Sequence, residues 1–162
     1  MFGFLTFGAV MTCLDLGLKN WVETQDEAGF PRDVPALKGM LRLHRNHNTG
    51  FSFGVLRERR QVVETVPLCI TSGIAGIWLW LMSCRGRFME KLALTLTLAG
   101  GVSNLYDRMK RGYVVDYFSI CWKFLKRVVL NLGDVCIFAG AVLYMVSQFI
   151  AFVICFIKER KS

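Results

Sequence analysis

Four stretches of this chain carry no charged residue at all: 2–14, 65–84, 92–106 and 135–157. A bilayer core of roughly 30 Å needs about 20 helical residues to cross it. The fourth stretch exceeds that length and the second just meets it. The first and third are shorter, and reach across only if Asp15 and Lys19, or Lys91 and Asp107, sit at headgroup level, where charged side chains are tolerated. A soluble helical bundle is excluded, because 162 residues cannot bury four helices that are apolar on every side. The first stretch reads as a span and not as a cleaved leader, since no basic residue precedes Phe2 and no small-x-small cleavage site follows. The expected fold is therefore a mainly α membrane protein, one domain over 1–162, with spans at roughly 2–19, 65–84, 88–107 and 134–157.

The net charge of +8 does not point to a nucleic-acid partner. Nearly all basic residues fall in the connections and the C-terminal tail, where membrane proteins keep them and where they meet anionic lipid headgroups. The six cysteines, Cys13, Cys69, Cys84, Cys121, Cys136 and Cys155, have no metal-site or disulfide spacing and read as small buried hydrophobes. His44 and His47 stand three apart without an acidic or Cys partner, so no metal site is expected. Trp78, Trp80 and Trp122 read as interface anchors or lipid contacts.

Alternating spans bring the end of span one, the start of two, the end of three and the start of four to one side of the membrane. That side gathers Asp15, Asp107 and Asp134, with Asp116 in the connection between the last two. It also holds both long connections, 20–64 and 108–133, while the other side has a short basic turn, 85–91, and the tail. Dense Lys and Arg in the short turn and tail indicate that both termini are cytoplasmic. Within the long connections, 41–53 holds an Asn-Thr-Gly turn followed by an alternating Phe-Ser-Phe, and 112–120 and 126–130 are rich in β-branched and aromatic residues. A small sheet capping the helices is expected.

Asp116, between apolar neighbours, and Asp134, opening an apolar helix, form the pair best suited to chemistry. Two close carboxylates in a low-dielectric site cannot both ionise, so one takes a proton from water while the other stays protonated and polarises a carbonyl. From spacing alone, each also reads as an ordinary loop or capping carboxylate.

The residues around them supply more. Asn48-Thr49-Gly50-Phe51-Ser52-Phe53, Gly100-Gly101-Val102-Ser103-Asn104-Leu105-Tyr106-Asp107-Arg108, Gly112-Tyr113-Val114-Val115-Asp116-Tyr117-Phe118 and Asn131-Leu132-Gly133-Asp134 closely resemble the signature boxes of bacterial lipoprotein signal peptidases, and Asp15 with Lys19 resembles the first of them. The resemblance implies a cofactor-free aspartyl endopeptidase (signal peptidase II) of the bacterial inner membrane. Such an enzyme cuts prolipoproteins just before a lipid-modified cysteine, on the extracytoplasmic face, where a small β-cradle covers four helices. It implies Asp116 and Asp134 as the catalytic dyad. Asn48, Gly50, Asn104, Asp107, Arg108 and Asn131 then bind substrate or support the site. Ser103 and Gly133 depart from the pattern, which usually has Gly and Ala there, and Phe51-Ser52 stands where small residues are common.

Asn104 and Asp107 are three apart and share a helix face, with Arg108 adjacent; Asp107 and Arg108 read equally as an interfacial ion pair. Asn131 either orients Asp134 or caps its helix. Asp15 and Lys19, four apart, read as a structural pair without a chemical role. Gly100-Gly101 permits close helix contact or leaves room for lipid, close contact being the commoner meaning. The expected partners are lipidated prolipoproteins and membrane lipids, with the chain monomeric in the bilayer. An ion- or proton-coupled transporter is the rival reading, but its acids belong near mid-span, and here they ring one end.

Overall fold

The computed structural model describes residues 1–35, 39–50, 59–121 and 128–160. Four long helices, α1 (Phe2–Glu23), α2 (Arg60–Ser83), α3 (Phe88–Arg111) and α4 (Leu132–Glu159), carry a small antiparallel sheet of β1 (Arg32–Asp33), β2 (Leu41–Asn48) and β3 (Val114–Ile120), in the order β1-β2-β3. The molecule is a mainly helical, multi-pass membrane protein.

α3 is the spine, packed against α1, α2 and α4. Its buried residues, Ala93, Leu94, Thr95, Ala99, Gly100, Ser103, Asn104 and Asp107, recur at helical spacing. The stripe is mostly small or apolar at its start and turns polar over its last two turns, so α3 carries the polar core of the molecule. The same polarity explains a difference from the expectation of four spans. Three helices, α1, 61–83 of α2, and α4, are long and apolar enough to cross a bilayer, and α3 is not among them. Its polar residues turn inward to its neighbours, and its charges, Glu90, Lys91, Asp107, Arg108, Lys110 and Arg111, gather at its ends. The outward faces are apolar instead: Phe2, Phe138, Phe149 and Phe152 are each at least two-thirds exposed. In a protein with so little apolar core, such surfaces face lipid.

Gly100 sets the approach of α3 to α4. A Cβ there would lie 2.8 Å from the Gly133 carbonyl carbon and 2.9 Å from Ile137 Cγ1, and closer still to the Gly133 oxygen. The close-contact reading of Gly100-Gly101 therefore holds at Gly100, while Gly101 faces the Thr71 side chain across a wider gap. At the far end of α3, Gly112 adopts φ +80°, and its N–H closes on the Arg108 carbonyl at 3.0 Å. That left-handed turn suits glycine and reverses the chain directly into β3.

β3 pairs with β2 through Asn46↔Asp116 and Asn48↔Val114, with an irregularity between Leu43 and Asn46. Leu130 bridges Phe118 on the other side of β3. Of the expected strands, 114–120 of the second forms β3, with Gly112 and Tyr113 turning ahead of it, and 41–48 of the first forms β2. Phe51-Ser52-Phe53, Trp122, Lys126 and Arg127 lie outside the described residues.

Two other expectations change. Trp78 does not face lipid: it is buried and donates its ring N–H to Thr95 Oγ1 at 2.8 Å, because the α3 hydroxyl satisfies the indole inside the bundle. Trp80 remains exposed. Of the cysteines only Cys136 is buried, and Cys13, Cys69 and Cys155 lie on outward helix faces where the bilayer replaces a protein core.

Replacing Gly100 by Ala should lower the thermal midpoint in detergent by the equivalent of about 1–3 kcal/mol, the usual cost of overpacking. Gly101→Ala should cost clearly less, since only a side chain must give way. Equal losses in a thermal-shift comparison would mean that the α3–α4 approach is not set by Gly100.

Candidate active site

Asp116 lies in the middle of β3, whose first four residues are all buried. Both its oxygens are engaged: Asn131 Nδ2 donates to Oδ1 at 2.7 Å and Asn48 Nδ2 donates to Oδ2 at 3.1 Å. Burial pushes the Asp116 carboxyl up to about 7, the nearby charge of Asp134 adds to the rise, and the two asparagine donors oppose it. Asp134 sits in the first turn of α4, in a capping box with Asn131: Asn131 Oδ1 accepts from the Asp134 N–H at 2.8 Å, and Asp134 Oδ2 accepts from the Asn131 N–H at 3.3 Å. Asn104 Nδ2 donates to Asp134 Oδ1 at 2.8 Å.

The three asparagines follow one rule. Each has its oxygen held by a group that can only donate: Lys19 Nζ on Asn104 at 2.7 Å, the Asp134 N–H on Asn131, and the Gly50 N–H on Asn48 at 3.1 Å. An amide with its oxygen committed must turn its NH2 the other way. In all three cases that way is a carboxylate of the Asp116–Asp134 pair.

Both acids line one small cavity of about 110 Å³, together with Asn48, Asn104, Arg108 and Leu130. A larger cavity of about 320 Å³ opens between α2, α3 and α4, walled by Ile70, Ile74, Leu98 and Ile137. Asn104, Arg108 and Asp134 border both. An apolar groove thus ends at the acids.

Behind the acids is a second polar cluster. Lys19 Nζ pairs with Asp15 Oδ2 at 2.7 Å and approaches Asp107 Oδ2 at 3.4 Å, all three residues being at most 1% exposed. Ser103 Oγ donates to Asp15 Oδ2 at 2.5 Å, and Tyr117 Oη donates to Asp15 Oδ1 at 3.0 Å while accepting from the Leu132 N–H. Burial and the neighbouring Asp15 charge raise the Tyr117 phenol well above its ordinary value, so it stays a donor.

Asp107 and Arg108 do not form the ion pair considered from the sequence. Asp107 meets Lys19 and Arg111, the latter at 3.5 Å, and accepts from the Val115 N–H at 3.1 Å, so it ties α3 to β3. Arg108, one residue on, points to another face and donates to the Gly50 carbonyl at 3.2 Å. Asn131 caps α4 and its N–H donates to the Asp134 carboxylate, so the two readings offered for it coincide, and its side-chain amide also holds Asp116, which neither reading offered. His44 and His47 go separate ways, His44 to Ser119 and His47 to Glu23, each at 2.8 Å.

Neither Ser103 nor Tyr117 has a site role in the sequence reading. Helix spacing puts Ser103 four before Asp107 and thus on its face. Strand alternation turns Tyr117 away from the side to which Asp116 points. Both signals were available, but their common target, Asp15, was far off in sequence.

A profile of the family described as Signal peptidase (SPase) II matches residues 7–150. The lipoprotein signal peptidase of Clostridium acetobutylicum is 28% identical over 137 residues, covering 83% of this chain and 86% of that protein. That of Brucella ovis is 31% identical over 142 residues, covering 85% and 83%. A bacterial membrane enzyme solved in meso at 2.3 Å has a similar fold, with a TM-score of 0.80 at 18% identity over 92% of this chain and 88% of that one.

A carboxyl raised from its ordinary 3.8 to about 7 holds a proton that the unfolded chain has lost, so the folded state loses stability as pH rises through that window. The thermal midpoint of the protein in detergent should therefore fall more steeply from about pH 5 to about pH 8 than that of Asp116→Asn. Parallel curves would mean that Asp116 titrates normally.

Proposed function

The chain belongs to the signal peptidase II family, and from that premise we propose that it removes the signal peptides of bacterial prolipoproteins, with Asp116 and Asp134 as its catalytic pair. The observation that carries the reading is the shared cavity: a buried and a half-buried aspartate line it, every carboxylate oxygen accepts one hydrogen bond, and an apolar groove ends beside them. The name carried by the relatives, lipoprotein signal peptidase, supports the substrate class.

In this reading Asp134, at a helix N-terminus that favours negative charge, is the base, and Asp116 holds the proton. A water between them gives a proton to Asp134 as its oxygen bonds to the scissile carbonyl carbon. The Asp116 proton meets the developing negative charge on the carbonyl oxygen. Collapse of the tetrahedral intermediate breaks the C–N bond, and the proton held by Asp134 passes to the leaving amine. That amine belongs to the lipid-modified cysteine, and the groove between α2, α3 and α4 receives apolar parts of the substrate. Arg108, at the junction of groove and cavity, contacts substrate, and Asn48, Gly50, Asn104, Asp107 and Asn131 support the site. Asp15 and Lys19 form a buried pair.

The membrane arrangement follows the same reading. α3 is the fourth span, its polar stripe sheltered by the other three helices. Both termini lie in the cytoplasm, and the sheet and acids lie on the extracytoplasmic face. The protein works as a monomer, without cofactor or metal.

Purified protein in detergent should shorten a diacylglyceryl-modified prolipoprotein, and Asp116→Asn and Asp134→Asn should each reduce turnover by at least about 100-fold while thermal midpoints show folded protein. An Asn keeps the shape but cannot exchange the proton. Near-normal turnover in either folded variant would remove that residue from the pair. For topology, cysteines introduced into a thiol-free background should react with an impermeant reagent from outside at Thr24 and not at Gly86. Reaction at Gly86 alone would invert the arrangement.

A further inference from the structure

Lys19 does more than neutralise Asp15. Its ammonium has three protons and no lone pair. Around it stand Asp15 Oδ2 and Asn104 Oδ1, each at 2.7 Å, Ser103 Oγ at 3.2 Å and Asp107 Oδ2 at 3.4 Å. The Asn104 amide therefore has no freedom to flip. With its oxygen facing Lys19 it directs Nδ2 to Asp134 Oδ1 at 2.8 Å; the reverse orientation would point NH2 at an ammonium and an oxygen at a carboxylate.

We propose that Lys19 is a positioning residue for peptide cleavage: it locks the Asn104 amide so that an N–H always faces Asp134. This rests on the catalytic reading of Asp116 and Asp134 given above. The lock is assembled from α1, α3 and α4, so it forms only when α1 docks, and a buried lysine is tolerated because Asp15, Ser103 and Asn104 take up its donors. A simple strut between α1 and α3 would need only Lys19 and Asp107, with Asn104 free to turn.

The charges that act on the Asp116–Asp134 pair are Lys19 and Asp15 of α1, Arg108 of α3, and each acid on the other. Asp107 of α3, itself paired with Arg111, and the Tyr117 hydroxyl face the Lys19–Asp15 pair from its other sides.

The test compares Asp15→Asn with the double variant Asp15→Asn/Lys19→Met, in which the two opposite charges leave together. Cleavage of a diacylglyceryl-modified prolipoprotein by the unaltered protein is the reference. Its absence would sink the proposed function itself, whereas the comparisons below bear only on Lys19. Asp15→Asn should lower the thermal midpoint yet keep kcat per folded molecule within about threefold, because Lys19 still holds Asn104. The double variant should lose at least about tenfold in kcat with KM within about twofold, as Asn104 no longer directs its N–H. Introducing Asn104→Ala into both backgrounds should abolish that tenfold difference, since nothing remains to be positioned. Equal kcat values in the single and double variants would overturn the proposal and leave Lys19 as a strut.

If the double variant does not fold, Lys19→Gln takes its place. Its amide can turn an oxygen as well as an N–H to Asn104, so the lock is lost while the space stays filled, and kcat should fall at least about threefold with KM within about twofold. Unchanged kcat, or loss of fold in this variant too, would count for the strut.

Discussion

Two neighbouring carboxylates largely withdrawn from solvent keep their places only if other groups donate to their oxygens, and in this protein the donors are asparagines that have no alternative. Each amide oxygen is held by a lysine ammonium or a backbone N–H, groups that never accept. The amide protons must then face Asp116 and Asp134. Because those holding groups come from α1, the loop after β2, and the first turn of α4, the site exists only when the helices and the sheet are assembled together. The geometry of the acids is thus a product of the whole fold and not of their local segments.

α3 makes that assembly possible. Its small residues allow α4 to approach until the backbone at Gly133 lies against Gly100, which brings the α4 N-terminus beside Asn104. Its last two turns carry Ser103, Asn104 and Asp107 to three different targets: the Asp15–Lys19 pair, Asp134, and the backbone of β3. A helix with that work to do cannot also be uniformly apolar. The membrane cost of its polar face is avoided by surrounding it with three helices whose outer faces are apolar.

Two of the departures from the family pattern, Ser103 and Gly133, meet at one atom. Ser103 Oγ donates to Asp15 Oδ2, and a Cβ at residue 133 would lie 2.9 Å from that same oxygen. A side chain gained on α3 and one absent on α4 thus share the space around one carboxylate. Either change alone would alter its packing, and together they leave Asp15 enclosed and hydrogen-bonded.

Much of this was legible in the residues. Charge-free stretches reveal helices in a membrane because no other structure satisfies their backbones there, and alternation of the helices alone brings Asp15, Asp107, Asp116 and Asp134 to one end. The spacing of Asn104 and Asp107, and of Asn131 and Asp134, put each pair on one helix face or in one cap. What the sequence by itself determined was therefore everything that depends on period and polarity: the helices, the end at which the acids gather, the capping of α4 and the strand character of 114–120. Only the tertiary structure decided which partners meet across elements. It sent Asp107 to Lys19, Arg111 and β3 and not to Arg108, turned Trp78 inward onto Thr95, and joined Ser103 and Tyr117 on Asp15. The physical reason is that a hydrogen bond depends on distances of a few ångströms between residues some 90 positions apart, as in Ser103 to Asp15, and local periodicity carries no information on that scale.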